Sequence, residues 1–128
     1  MNEEEKYFDY NLVPGKEIVK NKSINDGEPI ISIITGYYNC KEYIRQTANS
    51  VINQTFPYWE WIIVDDGSTE EGTKEILDEI EKLDDRIKIY HEKNRGRILV
   101  RDFAISKAKC DLIYILDSDD VLDRTFLE

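Results

Sequence analysis

Residues 112–120 read LIYILDSDD: five apolar or aromatic side chains without alternation, then three carboxylates within four positions. An unbroken apolar run of this length is the pattern of a strand covered on both faces, although a buried helix segment fits the run alone equally well. The acids begin where such a strand would leave its sheet. Three carboxylates so close repel one another, and keeping them all ionised calls for a cation or several hydrogen-bond donors. That reading makes the acids hard oxygen ligands at a strand's carboxyl end. The competing reading is a solvated acidic turn capping the next helix, because Asp is a favoured N-cap and turn residue. The rest of the chain has to decide.

Upstream, one unit recurs: an apolar run, a polar loop, a helical pattern. Ile87 to Tyr90 forms a short run, followed by a charged, turn-rich loop from Glu92 to Arg97 and a helical pattern over 98–108 with Leu99, Phe103 and Ala104 as core contacts. Before it, Trp59 to Val64 runs into Asp65-Asp66-Gly67-Ser68. Ser68 and Glu71 have the spacing of a capping box, and Ile76, Leu77, Ile80 and Leu83 make the buried stripe behind it. The first run is Ile30 to Ile34, with a loop from Gly36 to Asn39. Asn39 and Glu42 repeat the capping spacing, Ile44, Ala48, Val51 and Ile52 share a face, and the helix should stop before Pro57. Strands alternating with helices of about 10–15 residues imply right-handed crossovers and an α/β fold: a mostly parallel sheet with helices on both faces.

Residues 1–28 differ. They are charged and polar, with Pro14, Gly15, Asn25, Asp26 and Gly27 scattered through them and no sustained period. They read as a lead-in segment, either docked through Tyr7, Phe8, Tyr10, Leu12 and Val13 or loosely ordered. The remainder, 29–128, is one domain or half of a larger one.

Composition removes several function classes. Seventeen basic and 27 acidic residues leave a formal net charge of −10, which opposes nucleic acid or an anionic membrane as a general partner. Cys40 and Cys110 lack metal-type spacing, and neither a signal peptide nor an apolar run of spanning length is visible, so the expected setting is reduced and cytoplasmic. His91 stands alone, which leaves a histidine zinc site few ligands and favours a surface or loop role.

The Asn39, Asp65-Asp66, Asn94-to-Arg97 and Asp117-to-Asp120 clusters all follow strands, so in a parallel sheet they gather on one edge. Ligands of open α/β sheets bind outside those carboxyl ends, where strand order reverses; for the order 3-2-1-4 that point lies between the first and fourth strands. Each loop alone is a cap or turn, but four on one edge point to a site. Neither G-x-G-x-x-G nor G-x-x-x-x-G-K-[ST] occurs, so phosphate must be held otherwise. A divalent cation on oxygen ligands, with Arg95, Arg97 and Arg101, would neutralise a diphosphate. Asp65 and Asp66 are free to accept hydrogen bonds from a base or sugar.

The stretches PIISIITGYYNCKEYIRQTANSVINQTF, WEWIIVDDGSTE, NRGRILVRDFAI and DLIYILDSDD, in this order and spacing, resemble the nucleotide-binding half of glycosyltransferase family two, over about residues 29–124. The specific element is V-D-D-G-S combined with D-S-D-D at two strand ends. The resemblance implies a Rossmann-like GT-A fold using a nucleotide-diphosphate sugar, UDP-sugar foremost. It implies a base-side role for Thr35, Gly36 and Tyr38, uracil or ribose contacts for Asp65 and Asp66, and Arg101 near the nucleotide. The D-x-D acids fall on Asp117, near the ribose, and Asp119, on Mn²⁺ or Mg²⁺, with Asp120 as a reserve ligand. Two departures, Gly36-Tyr37 in place of a proline and small-residue pair and Asp102 where asparagine is frequent, bear on base identity.

The implied chemistry is in-line attack by an acceptor hydroxyl on the anomeric carbon, with inversion and with the cation stabilising the leaving diphosphate. The family draws the general base from a segment beyond the acidic motif. The expectation is therefore a fragment lacking its acceptor half and inactive by itself. Two readings compete: a receiver-type or phosphotransfer α/β domain, which places its acidic pair after the first strand and a lysine after a late one, and a non-catalytic nucleotide-binding module.

Overall fold

The computed structural model describes residues 28–128. The lead-in reading of residues 1–28 thus falls, except for Glu28, outside the described residues. Four strands, β1 (Ile31–Tyr37), β2 (Trp59–Asp66), β3 (Ile87–Glu92) and β4 (Leu112–Ile115), alternate with three helices, α1 (Lys41–Ile52), α2 (Thr73–Leu83) and α3 (Arg97–Ser106). The sheet is wholly parallel in the order β3-β2-β1-β4, as the alternation of elements requires.

The two faces follow from the strand period of two. Ile33, Trp59, Trp61 and Ile63 pack with Ile44, Ala48 and Val51 of α1 and Ile76, Leu77 and Ile80 of α2. Ile34, Ile62 and Val64 pack with Val100 and Ala104 of α3 on the opposite face. Every residue of β2 is buried. That is the doubly covered strand expected at 112–116; β4 instead lies at the sheet edge, with Leu112 57% and Ile115 39% exposed.

The elements depart from the sequence reading at their ends. β1, β2 and β3 continue two or more residues past their last expected position, because ladder hydrogen bonds pair Tyr37 with Asp65 and Asp66 with Glu92 whatever the side chains are. Leu83 and Leu99, expected in the core, are 54% and 53% exposed. α3 starts at Arg97, one residue early, and turns Val100 inward in place of Leu99.

Two acids anchor the amino edge of the sheet. Glu60, buried on the α3 face, accepts from the Ser32 hydroxyl at 2.5 Å and the Lys109 N–H at 2.7 Å, tying the turn before β4 to β2. Asp84 accepts from the Arg86 side chain at 2.8 and 2.7 Å, while the guanidinium lies 3.8 Å over the Trp59 ring and donates to Pro57 C=O. The Arg86 hydrogen bonds hold the Asp84 carboxyl below its ordinary range. A carboxylate depressed in the folded state stabilises above its unfolded pKa, about 4, and that stabilisation is lost as pH falls through the folded value. Asp84→Asn should cost about 1 kcal/mol at pH 7 and nothing in strong acid, which urea unfolding at the two pH values checks.

Candidate functional site

At the carboxyl edge the strand order reverses between β1 and β4. A cleft of about 490 Å³ opens there, lined by Gly36, Tyr38, Asp66, Asn94, Arg97 and Arg101 and by Asp117, Ser118 and Asp119. Gly36 forms the floor: a Cβ at this position would stand 3.2 Å from Val100 Cγ1, so a larger residue would fill the gap between β1 and α3. α3 enters the cleft with its amino end. Its N-cap residue, Gly96, has no side chain to turn back on the first turn, and that turn holds no acid, so the N–H groups of the first turn add a positive partial charge to Arg97 and Arg101.

The loops are stapled to one another rather than to their own helices. Asn39, with φ of +49°, accepts at Oδ1 from the Thr69 and Glu70 N–H groups, both at 2.9 Å, and its own N–H donates to Ser68 Oγ at 2.9 Å. Glu70 in turn accepts from the Lys41 N–H at 3.1 Å, serving the first turn of α1 from another loop. Both expected capping boxes are therefore corrected: α1 and α2 have no side-chain cap of their own, and Ser68 lies four residues before the αL Gly72 that precedes α2. Gly67, at φ +66°, approaches Asn94 so closely that a Cβ would come within 2.6 Å of its backbone nitrogen.

The two acids after β2 have separate surroundings. Asp65 is buried and away from the cleft lining; it accepts from Ser68 N–H at 3.0 Å and pairs with His91 Nδ1 at 3.0 Å. Asp66 lines the cleft and accepts from the Arg95 and Gly96 N–H groups at 2.7 and 3.2 Å. Thr35 is fully buried, its hydroxyl accepting from Trp61 Nε1 at 2.8 Å. Of the expected base-side residues, then, Gly36, Tyr38 and Asp66 meet in the cleft, while Thr35 and Asp65 stand behind it.

On the other wall, carboxylate oxygens of Asp117, Asp119 and Asp120 all lie within 4.8 Å of one another and are exposed. Asp117 faces Arg101 at 3.6 Å. Asp120 belongs to this cluster without lining the cleft. Oxygen-only donors on a solvated turn suit a hard divalent cation that keeps several waters, so the residues fit Mg²⁺ or Mn²⁺. Cys40 adjoins the turn but does not extend the ligand set: burial, reinforced by Asp119, pushes its thiol up against the opposing Ser118 hydrogen bond, so it stays protonated.

Residues 32–128 match the family described as Glycosyl transferase family 2. The chain belongs to glycosyl transferase family 2. It is 44% identical over 102 residues to TuaG of Bacillus subtilis (strain 168), a protein named for glycosyl transfer in teichuronic acid biosynthesis, covering 79% of this chain and 40% of TuaG. Among solved structures it superposes on S. aureus TarS 1-349 in complex with UDP at 30% identity and a TM-score of 0.69, covering 77% of this chain and 30% of that one. The chain thus spans well under half the length of these relatives.

Membership in glycosyl transferase family 2 decides against the receiver-type reading, whose acidic pair would follow β1 and not β2. Sequence reasoning placed Asn94 in a site loop without a role of its own, and missed Tyr37 and Val100 as cleft residues. Asn94 carried a signal, since an Asn directly before a basic, glycine-containing loop suits a turn that bonds neighbouring backbone; here it donates to Asp66 C=O at 3.0 Å. Among the described residues, no helix is long and apolar enough to cross a membrane.

Proposed function

We propose that residues 29–128 form the donor-binding part of a cytoplasmic glycosyltransferase and hold a nucleotide-diphosphate sugar, with UDP as its nucleotide, in the cleft between β1 and β4. The observation that carries the reading is the pairing of walls: a three-carboxylate turn on one side, and Arg97, Arg101 and the amino end of α3 on the other. The UDP complex of TarS supports UDP as the nucleotide. Gly36, Tyr38, Asp66 and Asn94 take the base and ribose, with Thr35 and Asp65 setting the loops behind them. Asp119, with Asp117 and Asp120, would hold Mn²⁺ or Mg²⁺, which when bound offsets diphosphate charge as the leaving group departs.

The residues themselves divide the work. Arg101 lies 3.6 Å from Asp117 and lines the cleft, close enough to turn to the phosphates. The α3 amino end offers N–H donors to the same group. Transfer to an acceptor hydroxyl, with inversion, needs a positioned base. The carboxylates lining the cleft, Asp66, Asp117 and Asp119, are assigned to binding, and Glu128 accepts from Thr55 outside it. That leaves no described carboxylate of the cleft free to serve as the base, so the reading for residues 1–128 is donor binding without sugar transfer.

Calorimetry with UDP in Mn²⁺ and in EDTA tests the reading. Binding should be tighter in Mn²⁺ by at least tenfold; equal affinity in both would remove the cation from the site. Sugar transfer to acceptors by residues 1–128 alone would show that the base lies among the residues assigned here to binding.

A further inference from the structure

The acidic turn is held from outside its own strand. β4 ends at Ile115, and within the turn one backbone bond is made, Asp120 N–H to Asp117 C=O at 3.1 Å. Exposed, mutually repelling carboxylates do not fix such a turn by themselves. α1 supplies the restraint: Thr47, fully buried, donates its hydroxyl to Ser118 C=O at 2.9 Å, across 71 positions of sequence. A helical threonine ordinarily turns its hydroxyl to the carbonyl four residues back. Here that carbonyl, Tyr43 C=O, is the more distant acceptor at 3.3 Å. Farther along, buried Gln54, two residues past the end of α1, donates to Asp123 C=O at 2.5 Å and accepts from Leu127 N–H at 3.0 Å, so the segment after the turn is clasped as well.

Ser118 stands between Asp117 and Asp119, and its carbonyl belongs to the peptide that leads into Asp119. Fixing that peptide constrains the backbone of Asp119 directly and that of Asp117 through Ser118. We infer that Thr47 is a positioning residue for the cation-binding turn: its hydroxyl holds Asp117 and Asp119 at the separation a divalent cation with a nucleotide diphosphate requires. The inference rests on the metal-dependent nucleotide reading above. It places a determinant of metal affinity on the opposite face of α1 from solvent, in a residue that touches neither cation nor nucleotide.

Thr47→Val keeps the branched shape and removes the donor, leaving Ser118 C=O without its partner. In the 128-residue chain, UDP affinity in Mn²⁺ should fall about tenfold while uridine affinity stays within about twofold, and Thr47→Ser should restore UDP binding to within about threefold of wild type. A residue that merely supports the fold would weaken uridine and UDP alike and would not be rescued by serine; that result overturns the inference. Should Thr47→Val not fold, Thr47→Ala carries the same comparison. A wild type that responds to Mn²⁺ alongside a Thr47→Val that responds equally overturns this inference alone. A wild type whose UDP affinity ignores Mn²⁺ overturns the metal reading and this inference together.

Discussion

Asp119→Ala brings the UDP affinity measured in Mn²⁺ down to the level measured in EDTA, a loss on the order of a hundredfold, and leaves the protein as stable as before. The two halves of this expectation have one cause. Asp119 is exposed in a cluster of like charges, so among the described residues its carboxylate does nothing for the core, and deleting it relieves repulsion. What it does contribute is a hard oxygen ligand on the cleft wall, where a cation meets the diphosphate. A hundredfold corresponds to about 2.7 kcal/mol, a plausible scale for one ligand of three. Asp120→Ala should cost less, because Asp120 lies off the cleft. Isothermal titration of wild type and both variants, with melting curves alongside, checks the order; an Asp119→Ala that still responds to Mn²⁺ would move the metal elsewhere.

The interior of each strand was legible because burial writes itself into apolar runs; the strand ends and helix starts were not. The ladder continues through Tyr37, Asp65, Asp66 and Glu92 because backbone groups pair regardless of side chain. Helix starts were misread for a related reason. Asn39 and Ser68 do bond backbone and side chains as cap residues would, but each reaches the other's loop, a contact between residues 29 to 31 positions apart that no local spacing encodes. Leu99 misses the core because α3 packs on the sheet through Val100 and Ala104, one turn apart, and Leu99, about 100° round the helix from Val100, falls on the exposed flank. The run at 112–116 is as apolar as a doubly covered strand, yet β4 is at an edge in the described residues. Apolarity reports what a segment can bury, and topology decides how much of it is buried. The site's acids were legible as a cluster. The division of labour between Asp65 and Asp66 was not, since adjacent residues of a strand point to opposite faces and only the surrounding loops show which face opens on the cleft.

That alternation leads to the second large effect. Asp66→Ala should weaken uridine and UDP by the same factor, tenfold or more, whereas Asp65→Ala should lower stability with a much smaller change in either affinity. Asp66 is the cleft-side acid, and its two oxygens already accept from the Arg95 and Gly96 N–H groups. Each carboxylate oxygen has a second lone pair, so the side chain can hold that loop and accept from a base or ribose at once. Removing it deletes both functions: it frees the loop that carries Arg97 into the cleft, and it takes away the nucleoside contact. The loop bonds are to a charged acceptor, so about 1.5–3 kcal/mol of stability goes with them. Asp66→Asn keeps one acceptor oxygen and should fall between wild type and alanine for stability, yet lose most nucleoside affinity if the contact needs a full negative charge. Asp65, with His91 and Ser68 N–H as its partners, lies behind the wall, so its loss acts through loop order. Because neither acid touches the proposed cation, the Mn²⁺ response of UDP binding should survive in both variants, which is the opposite of the Asp119→Ala result. Equal loss of uridine affinity in Asp65→Ala and Asp66→Ala would show that the two acids act as one unit and that the cleft extends behind β2.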